Sequence, residues 1–208
     1  MSLKSKFQLW KEEIVSHKQK LAISLIFFIV AVMFRFISGA YTERTGFASP
    51  KDIILDNIPV INLSIIYVWL FIAVLAIFFA YPLIYNPRKL HYSIGLFSLL
   101  LMIRSGFTVL THFKIPSGAV TITSSPAFFD IFSFTNDLFF SGQVGLAFMA
   151  FWIYKDNMKL RYFMLFSSIV LGIVSLFMHI HYSIDVLSAF FISYAVYKIG
   201  DSIFRDEN

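Results

Sequence analysis

Six long apolar runs, near residues 21–40, 60–84, 91–111, 138–154, 161–180 and 183–200, constrain this chain more than any other feature. A helix that crosses a bilayer needs about 20 predominantly apolar residues, and most of the runs come close to that length. The fourth and sixth are short, which predicts tilt, local thinning or a partly buried end. Hydrophobic residues make up 58% of the 208 and charged residues only 14%, a balance too apolar for a soluble domain of this size. The expectation is an all-α integral membrane protein: a cytoplasmic amphipathic arm over 1–20, a six-helix transmembrane domain over 21–200 and a cytoplasmic tail over 201–208.

The first run follows some twenty mostly polar residues, and no small-residue cleavage site comes after it, so it is expected to stay as a helix. Within the arm, Leu3, Phe7, Trp10, Ile14 and Leu21 fall at helical spacing with Lys, Glu and Gln between them. That pattern suits a helix lying on an anionic leaflet, with a disordered basic leader as the alternative. Basic residues crowd one set of segments: Lys4, Lys6, Lys11, Lys18 and Lys20 in the arm, Arg88 and Lys89, then Lys155, Lys159 and Arg161, then Lys198 and Arg205. The opposite loops hold only Arg44, Lys51 and Lys114, so the positive-inside rule predicts that both termini are cytoplasmic. The net charge of +5 is then a topology signal and implies no nucleic-acid partner. With no cysteine, disulfides, thiolate metal sites and thiol nucleophiles are excluded.

Two external loops follow from that topology. The first, 41–59, carries Glu43, Arg44, Lys51, Asp52 and Asp56 between Pro50 and Pro59, and has room for a short helix. The second, 112–136, contains Ser125 and Pro126 in the order of a helix start, then Phe128, Phe129, Ile131, Phe132 and Phe134. Such an apolar stretch predicts either a lid dipping into the outer headgroup layer or a plain structural plug.

The same topology sets the depth of the polar residues that a membrane should not tolerate. Arg35, Arg104, His112, His179 and His181 fall in the outer parts of helices one, three and five. Asp137, Ser141, Gly142, Gln143 and Asp185 fall at the outer beginnings of helices four and six. Singly, a terminal Arg or His can snorkel and an Asp can cap a helix. A lipid-facing arginine costs about 2.5–3.5 kcal/mol on insertion scales, so Arg35 and Arg104 are expected to face the bundle interior or a wet cavity. Together these groups suit an anion: guanidinium forks match phosphate, and a lipid headgroup phosphate lies at that depth. His181 and Asp185, four residues apart and expected on one helix face, suit a carboxylate-oriented imidazole that could attack phosphorus.

Rival uses of these residues fit less well. Zinc would need His179, His181 and Asp185, but two histidines two apart on a helix end diverge by roughly 200°. No metal and no other cofactor is expected. A serine hydrolase built on Ser141 lacks the Gly-x-Ser-x-Gly elbow. A transporter would call for inverted repeats and broken midplane helices, which are not seen. His91-Tyr-Ser-Ile echoes His181-Tyr-Ser-Ile, but no acid follows it through Ser98, and the topology places it at the cytoplasmic face.

Two segments carry a family resemblance. Asn136-Asp137-Leu-Phe-Phe-Ser141-Gly142-Gln143-Val144 resembles the third signature of the sphingomyelin synthases, Cys-Gly-Asp-x-x-x-Ser-Gly-His-Thr. His181-Tyr-Ser-Ile-Asp185-Val-Leu-Ser-Ala-Phe190 is similar to their fourth, His-Tyr-[Ser/Thr]-x-Asp-Val-x-x-[Ala/Gly]-[Tyr/Phe]. In the same comparison Arg104 stands for the basic second signature, and Asp52 or Asp56 corresponds loosely to the first. Those enzymes are six-helix relatives of the type 2 phosphatidic acid phosphatases.

The resemblance implies that His181 attacks the phosphorus of a phospholipid, expels diacylglycerol and leaves a phosphohistidine. Water or a second lipid alcohol, such as ceramide or diacylglycerol, would then take the phosphoryl headgroup. It assigns Asp185 to the imidazole, and Arg104 and Arg35, with Ser141, Gly142, Asp137 and His179, to phosphate and substrate. One position departs from the pattern: Gln143 stands where the family has a catalytic histidine, and an amide has no proton to exchange near neutral pH. Another acid, His179 or Asp137, can take over, or the leaving group needs none. The site can instead be that of an inactive lipid binder, or carry an engineered inactivating change. A lipid phosphate phosphatase keeps the chemistry with water as acceptor, although the Lys-x-x-x-x-x-x-Arg-Pro and Ser-Arg elements of the phosphatases are missing.

Overall fold

The computed structural model describes residues 10–11, 14–45, 49–122, 134 and 136–204. Its six long elements, in chain order, are helices α1 (Lys18–Arg44), α2 (Ser64–Tyr85), α3 (Arg88–Thr111), α4 (Gly142–Ile153), α5 (Met158–Phe177) and α6 (Ser183–Phe204). Five of them are long and apolar enough to cross a membrane, and the protein is an integral, multi-pass, all-α membrane protein. The exception, α4, has 12 residues. It is therefore about 18 Å long, well short of a bilayer core of roughly 30 Å. Its shortness matches the expectation for the fourth run. The sixth run departs from it, because α6 has 22 residues. The helix continues past the apolar run through Asp201, whose carboxylate accepts a 2.7 Å bond from the Tyr92 hydroxyl.

Burial explains how a short helix is accommodated. Val144, Gly145, Leu146, Ala147, Met149, Ala150, Phe151 and Ile153 of α4 are all buried. A helix apolar all round belongs in an interior, and α4 packs against α2, α3, α5 and α6 in place of lipid. Around it lie Phe78 of α2, Leu96 and Leu100 of α3, Met164 and Leu171 of α5, and Ala189 and Val196 of α6. In α1 the soluble-protein pattern is reversed. Its buried residues are Ser24, Ala31, Arg35, Ser38, Gly39 and Thr42, whereas Ile23, Ile26, Ile29, Met33 and Ile37 are exposed. Small and polar residues let two helices approach closely where lipid is the solvent, and this stripe packs on α3. The Ser38 and Thr42 hydroxyls donate to the carbonyls of Arg35 and Gly39, so their burial leaves no donor stranded.

The bundle has two chemically distinct ends. At the end where α3 begins, the Trp10 indole donates to the Leu83 carbonyl at 2.6 Å, His17 stacks on His91, and Lys89 pairs with Asp156 at 2.9 Å. His91 thus lies at the opposite end from His181. Of the expected amphipathic arm, Trp10–Lys11 and Ile14–Ser16 are helical, and Leu3 and Phe7 lie outside the described residues. The expected lid at 124–133 also lies outside them. Phe134 is described, and its ring packs over the Arg35 guanidinium at 4.8 Å.

At the other end, α5 stops in a Schellman arrangement. His179 N–H bonds to the Leu176 carbonyl and Ile180 N–H to Ser175, with His179 in the left-handed region at φ 53°. The next two carbonyls are taken by the loops, Phe177 by Ile61 N–H and Met178 by Val120 N–H. Every carbonyl of that last turn is therefore satisfied. Nearby, Leu55, Leu138 and Tyr182 form a small separate core that joins both loops to the start of α6.

Candidate functional site

The site is built where α6 begins and where the chain descends into α4. His181 precedes α6, and Asp185 sits in its first turn, so the pair does not share a helix face as its spacing suggested. One Asp185 oxygen, Oδ2, faces His181 Nδ1 at 3.3 Å and accepts the Tyr182 N–H at 3.0 Å. The latter is the backward bond of a capping box: the carboxylate in the first turn satisfies the N–H just before the helix. One carboxylate thus caps α6 and orients the imidazole. A second comes from far away in sequence. Asp52 Oδ2 accepts the Ser183 N–H at 2.6 Å and the Ser183 hydroxyl at 2.8 Å, while Oδ1 accepts the N–H groups of Ile54 and Leu55. Burial alone would raise the Asp52 pKa, but the bonds from Ser183, Ile54 and Leu55 outweigh it and hold the carboxyl below its ordinary value.

Residues 137–140 lead to the α4 N-cap without helical structure, so their carbonyls are not paired within a helix. Irregular backbone at membrane depth survives only where protein satisfies it. Arg104 Nη2 donates to the Asp137 carbonyl at 2.8 Å and Nε to that of Phe140 at 3.1 Å. Thr111 donates to Leu138 at 3.2 Å and Ser188 to Phe139 at 3.3 Å. Side chains from α3 and α6 therefore cover four consecutive carbonyls. Gly142 makes room for this, since a Cβ there would lie 3.0 Å from Arg104 Nε and 3.1 Å from its Cδ.

Asp137 also bonds through Oδ2 to both Arg35 and Arg104. Both arginines are buried, as expected for the bundle interior, and the ion pairs join α1, α3 and the α4 lead-in. Ser141 is the α4 N-cap, accepting from Val144 N–H, and its hydroxyl donates to Gln143 Oε1 at 3.4 Å. Its own N–H reaches the Asp185 carbonyl at 3.1 Å, which ties the two motif segments together. Gln143 is half-buried in the first turn of α4.

His179 is brought near the others only through the chain. It is 8% exposed, its Nε2 has no hydrogen-bond partner, and it forms no ion pair with the other candidates among the described residues. Asp137 Oδ1 and Asp185 Oδ1 are also buried without a partner. Such orphaned atoms are uncommon in folded proteins, and three belong to residues singled out from the sequence. Among the described residues no group of three His, Asp or Glu side chains is arranged to hold a metal ion.

Sequence reasoning passes over Thr111, Ser188 and Tyr67. The first two are ordinary hydroxyl residues on apolar helices and give no signal. Tyr67, buried in the first turn of α2, lies beside Ser141 and Arg104. A tyrosine at the start of a spanning helix usually reads as an interfacial anchor, which hides this role.

Residues 135–202 match the family model described as PAP2 superfamily C-terminal. That segment contains both motif regions, and the likeness does not single out the sphingomyelin synthase branch. No curated protein and no solved structure gave a match.

Proposed function

We propose that this protein is a membrane phospholipid phosphotransferase with phospholipase C-like chemistry, and that His181 is its nucleophile. The observation that carries the reading is the His181–Asp185 pair at the start of α6, linked through Ser141 to the Arg104–Asp137–Arg35 cluster. With Nδ1 held by Asp185, Nε2 is the nitrogen left for attack. An N–P bond forms and the P–O bond to diacylglycerol breaks. The departing alkoxide takes a proton, and Asp185 offsets the charge that develops on the imidazole. A lipid alcohol, ceramide or diacylglycerol among the candidates, or water then attacks the phosphohistidine and frees His181. Guanidinium groups of Arg104 and Arg35 would stabilise the crowded phosphate oxygens, with Asp137 holding them until substrate arrives.

Gln143 cannot supply the proton for the leaving oxygen. Of the two substitutes, Asp137 is engaged by both arginines, whereas His179 Nε2 is unpartnered, which favours His179. The distribution of basic residues supports cytoplasmic termini and a site on the external or lumenal side.

Lipid products from membranes containing the parent chain, Gln143→His and His181→Ala test the proposal by mass spectrometry. Release of diacylglycerol with transfer of the headgroup, abolished in His181→Ala, is the expected result. Unchanged turnover in His181→Ala sinks it. Inorganic phosphate released from phosphatidic acid would mark a lipid phosphatase instead. A second reading, a lipid binder without turnover, is favoured by Gln143, and phospholipid that co-purifies unreacted under every acceptor would establish it.

A further inference from the structure

We propose that Asp52, in the connection between α1 and α2, is a positioning residue for His181, an inference that rests on His181 being the nucleophile of the reaction above. A helix is ordinarily capped by the side chain just before it, and serine, threonine, aspartate or asparagine does this best. At α6 that residue is Tyr182, whose hydroxyl points away and donates to the Lys114 carbonyl at 2.8 Å. The capping work is divided instead. Asp185 takes the Tyr182 N–H from within the helix, and Asp52 takes the Ser183 N–H and hydroxyl from 131 residues away.

Ser183 lies midway between the nucleophile and its carboxylate. Fixing it by two bonds to one oxygen sets the direction in which the chain enters α6, and with it the separation of His181 Nδ1 from Asp185. The anchor is itself rigidly held. Asp52 Oδ1 caps the 3-10 turn Leu55–Asn57, and Leu55 packs with Tyr182 and Leu138 in the small outer core. The first connection therefore touches the nucleophile turn twice, once by a carboxylate and once by an apolar side chain. Displacing that connection would move His181 without touching it.

The test uses the full chain in phospholipid vesicles, comparing the parent with Asp52→Ala and Asp52→Asn. Two quantities are read: steady-state turnover of labelled phospholipid, and carbethoxylation of His181 by diethyl pyrocarbonate, with His91 at the far end as internal reference. A displacement of about 1 Å in a reacting group costs on the order of a hundredfold in rate. Asp52→Ala should accordingly lower kcat by roughly 10- to 100-fold and leave KM within about threefold. It should also change the His181 modification rate while His91 keeps its own. Asp52→Asn retains the acceptor for Ile54 and Leu55 but not both bonds to Ser183, and should fall between. Unchanged kcat with unchanged His181 reactivity overturns the inference. So does an equal change at His181 and His91, which would mean general loosening. If neither the parent nor Gln143→His turns over lipid, the catalytic reading fails, and the reactivity measurement alone then decides for or against the Asp52 anchor.

Discussion

The two motif segments solve opposite problems. At the start of α6 the surplus groups are N–H donors, and two carboxylates, Asp185 and Asp52, accept from them. Along residues 137–140 the surplus groups are carbonyls, and Arg104, Thr111 and Ser188 donate to them. Anionic caps gather around the nucleophile, and one cation with two hydroxyls around the lead-in to α4, a few residues apart through the Ser141–Asp185 bond. Burying fixed charges of both signs is costly, and Asp185, Asp52 and Arg104 are each offset by backbone groups that would otherwise be stranded. The polarity of the site is thus also what permits irregular backbone inside the bundle.

Breaking the cationic side should have the largest effect. Arg104→Met leaves the Asp137 carboxylate with Arg35 alone and strands two carbonyls, and loss of one partner of a buried ion pair typically costs about 3–5 kcal/mol. The expected outcome is a large fall in thermal melting temperature in lipid, with loss of any turnover. A melt within a degree or two of the parent would show that the arginine is dispensable to the lead-in. Gly142→Ala probes the same contact from the other side, since the added methyl must push the Arg104 stem away. Overpacking of this kind costs about 1–3 kcal/mol. With a smaller side chain at position 104, the double variant should lose less stability than the sum of the two single losses, and simple additivity would argue against the contact. Thr111→Val removes one donor from the Leu138 carbonyl, and a loss of about 1 kcal/mol is expected from melting curves.

On the anionic side the prediction concerns pH. Because the Asp52 carboxyl is held below its ordinary value in the folded state, its stabilisation is fully present above the unfolded value near 3.9 and is lost as pH falls through the folded one. The melting-temperature gap between the parent and Asp52→Asn should therefore be largest near neutrality and close as pH drops below about 4. A gap that stays constant down to pH 3 would mean that charge plays no part in capping α6.

Several elements of this arrangement are legible in the order of residues alone. Apolar runs place six helices in order, because a spanning helix needs a length of apolar sequence that few other structures demand. The burial of Arg35 and Arg104 follows from the cost of exposing them to lipid. The fourth run misleads at its start, since Leu138, Phe139 and Phe140 are apolar enough to extend a helix yet lie in the non-helical lead-in. Their carbonyls are taken by side chains 27 to 49 residues away, which no local pattern reveals. Spacing pairs His181 with Asp185 correctly but on a helix face, when a capping arrangement brings them together.

The sequence by itself determined that this chain is a helical membrane protein and which polar residues its interior must absorb, because length and transfer free energy are properties of local composition. Tertiary structure decided how those residues are used: Asp137 between two arginines, Asp52 across the start of α6, His179 buried in a left-handed turn with a free nitrogen. Hydrogen bonds depend on direction and on partners that only folding brings within about 3 Å, so their assignment cannot be read from spacing along the chain.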